Sequence, residues 1–304
     1  MDKKYQTVCL INFLAEESEM GTEIESILSR SESIECQRLY SRDLLLDIGG
    51  VEKVSNLYFG HDLIKTDLSF FFIKKRTKEN EQLSSLLMQY LHYTGARYIN
   101  PLFREHQENV GKFAQSVKYN ALGYSIPRTL ICAKNKISFF KDKIESAMPY
   151  PLVMKGNGTG GKAVWLINNF EDITRTADEA SDNKLKVVMF QEFIEKSHEE
   201  FRVVIFGNEV VAQVRRASEE FYNNYSKGAS VSTFDLSESE KQLCLEIAAH
   251  SQLDYVAVDY MRAVDGSILI LEVQTGPSYT VSKIANPDVG QKIASVLIKK
   301  YLNL

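Results

Sequence analysis

Residues 155–163 read Lys-Gly-Asn-Gly-Thr-Gly-Gly-Lys-Ala, with glycine at four of the six positions 156–161. Glycine at that density lets backbone amides turn toward an anion with no side chain in the way, so a phosphate is the natural guest. By letters alone the stretch satisfies Gly-x-Gly-x-x-Gly through Gly156, Gly158 and Gly161, and residues 156–162 satisfy most of the Walker pattern. Both patterns require a helix after the loop, whereas residues 163–167 are apolar, aromatic and β-branched, as in a strand. Ala163 also stands where the Walker metal ligand needs a hydroxyl. With a strand-like run over 152–155 before it, the loop reads as a glycine-rich flap between two antiparallel strands, which excludes the Rossmann and P-loop folds.

Around the flap, helical and strand periods alternate along the chain. Strands are expected over 5–14, 34–40, 68–74 and 97–101, with helices over 22–30 and 79–93; residues 49–66 show no assignable period. A helix over 109–122, stopped by Gly123, precedes a strand at 129–133, a helix at 136–146, the two flap strands and a helix at 169–180. A third stretch holds a strand over 187–194, strand pairs 201–206 with 209–215 and 255–264 with 267–273, each joined by a two-residue turn, and a closing helix over 282–302. The expected division is 1–106, an N-terminal α/β domain; 107–186, a subdomain carrying the flap; and 187–304, a C-terminal subdomain.

Composition narrows the function classes. The 304 residues carry 36 Lys plus Arg against 40 Asp plus Glu, a formal charge of −4, with the basic residues scattered, so nucleic acid has no electrostatic support as a partner. Cys9, Cys36, Cys132 and Cys244 have no metal-ligand spacing and read as reduced thiols, and the five histidines are too scattered to carry chemistry. The apolar run over 8–15 leads into Glu16, Glu17 and Glu19 without a cleavage site and reads as a first buried strand. No run approaches the length of a spanning helix, so a cytoplasmic protein without a membrane partner is expected.

The most informative pair lies near the C-terminus. A two-residue Asp265-Gly266 turn puts Val264 opposite Ser267, and counting back puts Asp259 opposite Glu272. Like charges facing each other at a Cβ separation of about 4.5–5.5 Å are destabilising unless a cation neutralises them. Gln274 shares that face and adds a neutral oxygen, a hard-oxygen set suited to magnesium beside phosphates. In the preceding hairpin the same counting puts Glu200 opposite Arg215, with Arg202 and Arg216 on opposite faces. If both arginines serve one site, a bulge must intervene.

The order of these motifs resembles the ATP-grasp superfamily, and within it the RimK-like amino-acid and peptide ligases, over residues 109–304. Lys112, on the helix ending at Gly123 and followed by Tyr124-Ser125-Ile126-Pro127-Arg128-Thr129, is similar to the family's phosphate-contacting lysine and its "GIP.PxT" exit. Lys155 with Gly158, Gly160 and Gly161 resembles the nucleotide lysine and flap. Gln191, Glu192, Phe193 and Ile194 resemble the adenine-facing hinge, Glu200-Phe201-Arg202 the Asp-x-Arg, and Arg216 the arginine after the second hairpin strand. Asn224, Lys227 and Gly228 fall where the family approaches its substrate, and Asp259, Glu272 and Gln274 match its metal-binding Asp, Glu and Asn. Glu200 and Gln274 depart from the usual Asp and Asn; the added methylene of Gln274 shifts its oxygen.

The resemblance implies an α/β (α+β) ATP-grasp fold with a small N-terminal α/β domain, ATP with Mg2+ or Mn2+ as cofactors, and ligation of a carboxylate to an amine through an acyl phosphate. Arg202 and Arg216 are its expected catalytic residues, an amino acid or peptide its expected substrate, and a homo-oligomer its expected assembly. A small-molecule kinase of the same fold and an ATP-binding regulatory protein with an impaired site are the alternatives.

Overall fold

Val8, Cys9, Leu10 and Ile11 show no polar alternation because both faces of their strand are covered. The computed structural model describes residues 6–12, 18–73, 81–105, 111–156, 163–179, 186–194, 199–219, 221, 223 and 225–302. The N-terminal unit runs β1 (Gln6–Asn12), α1 (Glu19–Leu28), β2 (Ile34–Tyr40), β3 (Leu44–Gly49), β4 (Val54–Phe59), β5 (Asp62–Ile64), β6 (Ser69–Ile73), α2 (Glu81–Tyr93) and β7 (Arg97–Tyr98). Its main sheet is parallel, in the order β2-β1-β6-β7. Ser18 caps α1 by accepting from Gly21 N, and Met20, Ile24 and Leu28 line the buried stripe of that helix.

Residues 44–64 form a separate antiparallel sheet, β3-β4-β5, most of which falls in the stretch left unassigned by periodicity. Leu57, Phe59 and Ile64 face the core, while Leu45 and Leu63 lie on the outer face, 56% and 52% exposed. With apolar residues on both faces, the period-two signal disappears.

The middle unit runs α3 (Lys112–Ala121), β8 (Thr129–Ala133), α4 (Lys141–Ala147), β9 (Leu152–Lys155), β10 (Val164–Ile167), α5 (Phe170–Glu179) and β11 (Val187–Glu192). Its sheet has the order β10-β9-β11-β8, all antiparallel. Thus β11, expected to open the C-terminal unit, instead sits between β9 and β8, because Val188 and Phe190 complete the core formed by Ile144, Leu152, Met154, Ile167 and Ile173.

The remainder runs β12 (Glu199–Phe206), β13 (Glu209–Ala217), β14 (Ser230–Ser232), α6 (Glu238–Ser251), β15 (Tyr255–Arg262), β16 (Ile268–Gln274), α7 (Tyr279–Ala285) and α8 (Val289–Val296), ending in a π-helical turn at Leu297–Leu302. The single closing helix expected over 282–302 is broken at Asn286, whose φ of −138° and ψ of 90° are extended. Pro287 follows it, and the proline ring disfavours helical backbone in the residue before it. The five strands take the order β14-β13-β12-β15-β16. Among the described residues, no helix is long and apolar enough to cross a membrane.

The N-terminal and C-terminal sheets share their cores. Cys9, Phe71 and Leu87 pack in one cluster with Val203, Ile205, Val258 and Tyr260; Val8, Ile24 and Phe72 pack in another with Phe206, Tyr255 and Ile293. Asn100 stitches the seam. Fully buried in the left-handed region at φ 62°, it donates from Nδ2 to Ile73 O at 2.6 Å and accepts at Oδ1 from Asp254 N at 2.8 Å and Tyr255 N at 2.9 Å. Its own N–H donates to Asp254 Oδ2 at 2.7 Å, and Tyr301 OH holds the other oxygen of that carboxylate.

Candidate functional site

The site is built by two hairpin irregularities. In β12–β13 the two-residue Gly207-Asn208 turn is as expected, with Phe206 opposite Glu209, but the register shifts between Val204 and Ile205. Beyond the shift Glu200 faces Arg216, and Phe201 faces Arg215, correcting the expected Glu200–Arg215 pair. The bulge that two cooperating arginines required is therefore present, and it turns Glu200, Arg202 and Arg216 to one face. Arg215, on the other face, pairs with Glu199.

In β15–β16, Asp259 does face Glu272, by a different route from the counted one. The turn has three residues: Ala263 N donates to Ser267 O, Gly266 N donates to Ala263 O, and Gly266 takes φ 82°. A three-residue loop with glycine in the left-handed position moves the register by one. A second shift between Asp259 and Tyr260 moves it back.

The charges on this face are tightly coupled. Arg202 grips Asp259 with both ends of its fork, Nε to Oδ1 at 2.6 Å and NH2 to Oδ2 at 2.7 Å. Arg216 NH2 reaches Glu200 Oε2 at 2.6 Å and Asp259 Oδ2 at 3.1 Å. Burial alone would raise the Asp259 carboxyl, but the two guanidiniums outweigh it and hold it below the usual carboxylate range. In the folded chain the Asp259 carboxylate is balanced by this arginine pair. Gln274 Nε2 lies 3.4 Å from Asp259 Oδ2, so the amide does share that face.

Two lysines come to the same place from elsewhere in the chain. Lys112, at the start of α3, has its Nζ 3.5 Å from Glu272 Oε2. Lys155 ends β9; desolvation lowers its pKa to about 8, nearby Lys112 adds to that, and Glu272 and Glu200 oppose it. Lys112, Lys155, Glu200, Arg202, Arg216, Asp259, Glu272 and Gln274, scattered over more than 160 positions of sequence, therefore form one cluster.

The flap strands are antiparallel as expected, with Lys155 opposite Val164 and Gly156 N donating to Ala163 O at 2.9 Å. Gly158, Gly160, Gly161 and Asn224 lie outside the described residues. Gln191 is buried at the end of β11 and donates to Thr129 Oγ1 at 3.0 Å; Glu192 Oε1 accepts from Arg128 N at 2.7 Å. Phe193 and Ile194 follow half-buried, and the Phe193 ring lies 6.2 Å from that of Phe221. Lys227 and Gly228 sit exposed on a turn, with Gly228 at φ 94°.

Sequence reading passed over Gln115, one turn after Lys112. Its Nε2 donates to Val273 O at 2.8 Å and its Oε1 accepts from Val273 N at 2.9 Å. The i, i+3 spacing from Lys112 was the available signal.

As a donor set, Asp259, Glu272 and Gln274 offer two carboxylates and one amide oxygen on adjacent strands. That all-oxygen set fits a hard divalent ion that completes its shell with water or phosphate. Among the described residues, no cluster of three or more His, Cys, Asp or Glu side chains makes a self-sufficient metal cage.

A RimK-like ATP-grasp domain matches residues 121–298. The chain is 28% identical over 196 residues to the tetrahydromethanopterin:alpha-L-glutamate ligase of Methanocaldococcus jannaschii, covering 62% of this chain and 66% of that one. It spans about half to two thirds of the length of such curated relatives. Among solved structures, it is similar to the macrocyclase MdnC bound with precursor peptide MdnA from Microcystis aeruginosa, with a TM-score of 0.71, 17% identity, and coverage of 97% of this chain and 100% of that one. It is also similar to the D-alanyl-alanine synthetase A of Vibrio cholerae, with a TM-score of 0.70, 15% identity, and coverage of 99% and 98%. At these identities the structural likeness is one of fold.

Proposed function

The chain belongs to the RimK-like ATP-grasp family, and from that premise we propose that it joins the carboxylate of an amino acid or peptide to an amine at the expense of ATP. The observation that carries this reading is the meeting of Lys112 and Lys155 with the face formed by Glu200, Arg202, Arg216, Asp259 and Glu272. In this reading a carboxylate oxygen of the substrate attacks the γ-phosphorus of ATP, ADP leaves, and an acyl phosphate results. The amine nitrogen then attacks the acyl carbon, the C–O bond to phosphate breaks, and the amine proton passes to solvent.

The chain's own residues hold charges in place, since phosphoryl transfer is governed by positioning and electrostatics. Lys112 and Lys155 neutralise phosphate oxygens, and the flap, which includes Gly158, Gly160 and Gly161, covers them and excludes water. The segment Gln191, Glu192, Phe193 and Ile194 takes the adenine edge, while Asn224, Lys227 and Gly228 approach the substrate. Arg216 offsets the charge of the acyl phosphate: its buried Nε has no acceptor among the described residues, and an unsatisfied buried donor costs about 1–3 kcal/mol until an oxygen arrives. Arg202 fixes Asp259. Asp259, Glu272 and Gln274 would hold magnesium, which when bound screens the phosphate charges.

The depressed pKa of Lys155 gives a pH signature. Below pH 8 the ammonium is already charged in the free protein; above it the amine is neutral, and phosphate must draw a proton back onto it. ADP binding at about pH 9 is therefore expected to take up protons, and affinity is expected to fall as pH rises through about 8. Calorimetry in buffers of different ionisation enthalpy measures the uptake, and Lys155→Met should abolish it.

The activity itself is tested by mass spectrometry of an amino-acid and peptide extract incubated with the protein, ATP and magnesium, beside a Glu272→Ala control. Products equal to two components less water, absent from the control, establish the ligase. Products gaining only a phosphoryl group would make it a kinase, and tight ATP binding with neither product would favour a regulatory role.

A further inference from the structure

We infer that Gln115 is a positioning residue whose carboxamide acts as the missing neighbour strand of β16, keeping Glu272 and Gln274 in register with Lys112 while Lys112 exchanges Glu272 for phosphate. The inference rests on the reading of these residues as phosphate and metal ligands. β16 is the edge of its sheet, so among the described residues the outward N–H and C=O of Val273 have no strand to bond. Val273 is only 2% exposed, which leaves little room for water to serve instead. A carboxamide presents one donor and one acceptor side by side, as a peptide group does, and Gln115 uses both on this one residue.

The place of the clamp matters more than its strength. Glu272 and Gln274 flank Val273, and the register shift just before Glu272 leaves Leu271 without a partner on β15. The strand is therefore least held by its sheet at the ligand positions, and Gln115 holds it from the other side. The same helix carries Lys112, whose ion pair with Glu272 must open if the ammonium is to meet a phosphate. Gln115 provides a neutral tie that survives this exchange. A second neutral tie, Ile270 N donating to Ser125 O at 2.9 Å, fixes the chain just beyond α3.

The test uses Gln115→Met, which keeps side-chain length and loses both hydrogen bonds. In the full-length protein without ligand, amide exchange at Val273 is expected to quicken about tenfold or more while exchange elsewhere in the sheet stays unchanged. Affinity for ADP with magnesium, measured by calorimetry, is expected to fall about 10–100-fold, the usual loss when a group orienting a metal ligand is removed. Affinity for ADP without metal should change less than about threefold if the clamp acts through the ligands rather than through nucleotide contacts.

Faster exchange with unchanged magnesium-dependent affinity would overturn the inference and leave Gln115 a purely structural tie. Unchanged exchange in Gln115→Met would overturn it too, because no clamp would exist. These readouts need no turnover. If the wild-type chain binds ADP with magnesium yet makes no amide, the ligase reading fails while the clamp is still decided by exchange and affinity.

Discussion

Asp259→Asn is expected to cost both turnover and stability, whereas Glu272→Gln should cost turnover alone. The Asp259 side chain is 5% exposed and balances two guanidiniums, Arg202 at 2.6 and 2.7 Å and Arg216 at 3.1 Å. With asparagine there, the buried positive charges keep Glu272 and Glu200 nearby but lose the carboxylate that both guanidiniums bind, and breaking such a pair by removing one partner costs about 3–5 kcal/mol. Glu272 and Lys112 are 26% and 17% exposed and 3.5 Å apart, so their pair is worth at most about 1 kcal/mol. Amide-forming turnover should fall by roughly 10^2–10^3 or more in both variants, as when one preorganised charge-stabilising group is removed. Urea unfolding and product formation measured on the same preparations separate the two roles. An Asp259→Asn protein as stable as its parent would mean that the arginine pair does not depend on that carboxylate.

A second large effect is expected far from the chemistry. Asn100→Ala removes the acceptor for Asp254 N and Tyr255 N and the donor to Ile73 O, all at the seam between the two sheets. Each buried backbone group left unsatisfied costs about 1–3 kcal/mol. Alanine in the left-handed region adds about 1 kcal/mol, so the total is expected to reach about 4 kcal/mol or more, a large part of the 5–15 kcal/mol by which a domain is stable. Asn100→Gly should lose the same bonds without the steric penalty and recover about 1 kcal/mol. Because the N-terminal and C-terminal units share two cores, they should unfold in one transition in the parent, and the urea midpoint reads the loss directly. A midpoint shift equivalent to less than about 1 kcal/mol for Asn100→Ala would show that the seam is held by apolar packing alone.

The comparison of sequence with structure divides along the range of the interactions. The flap was legible because strand propensity on either side of a glycine run is local, and β9 and β10 pair as that pattern required. The Gly207-Asn208 turn was legible for the same reason, whereas the break before Pro287 was missed, because the apolar period on both sides of it disguised two helices as one. The facing of Asp259 and Glu272 was reached through two shifts that cancel, one in the turn and one beside Asp259, and neither has a signature in the residues that make it.

What lay beyond sequence reading is everything fixed by partners distant in the chain. A buried asparagine in left-handed backbone looks, in a string of letters, like any loop asparagine until Asp254 and Ile73 are brought beside it. Gln115 looks like an ordinary helix-surface residue until an edge strand arrives with an unpaired peptide. By itself the sequence determined most strands and helices, though not the sheet over 44–64 or the break at Asn286, together with the chemistry of the phosphate and carboxylate groups and the order in which they occur, because these depend on side-chain type and on neighbours a few residues away. Only the tertiary structure decided that β11 joins the middle sheet, that Arg202 and Arg216 both close on Asp259, and that Lys112 and Lys155 meet the C-terminal carboxylates. A one-residue change of register reverses the face of every side chain beyond it, and its cost is settled by the packing of the whole sheet rather than by the residues at the shift.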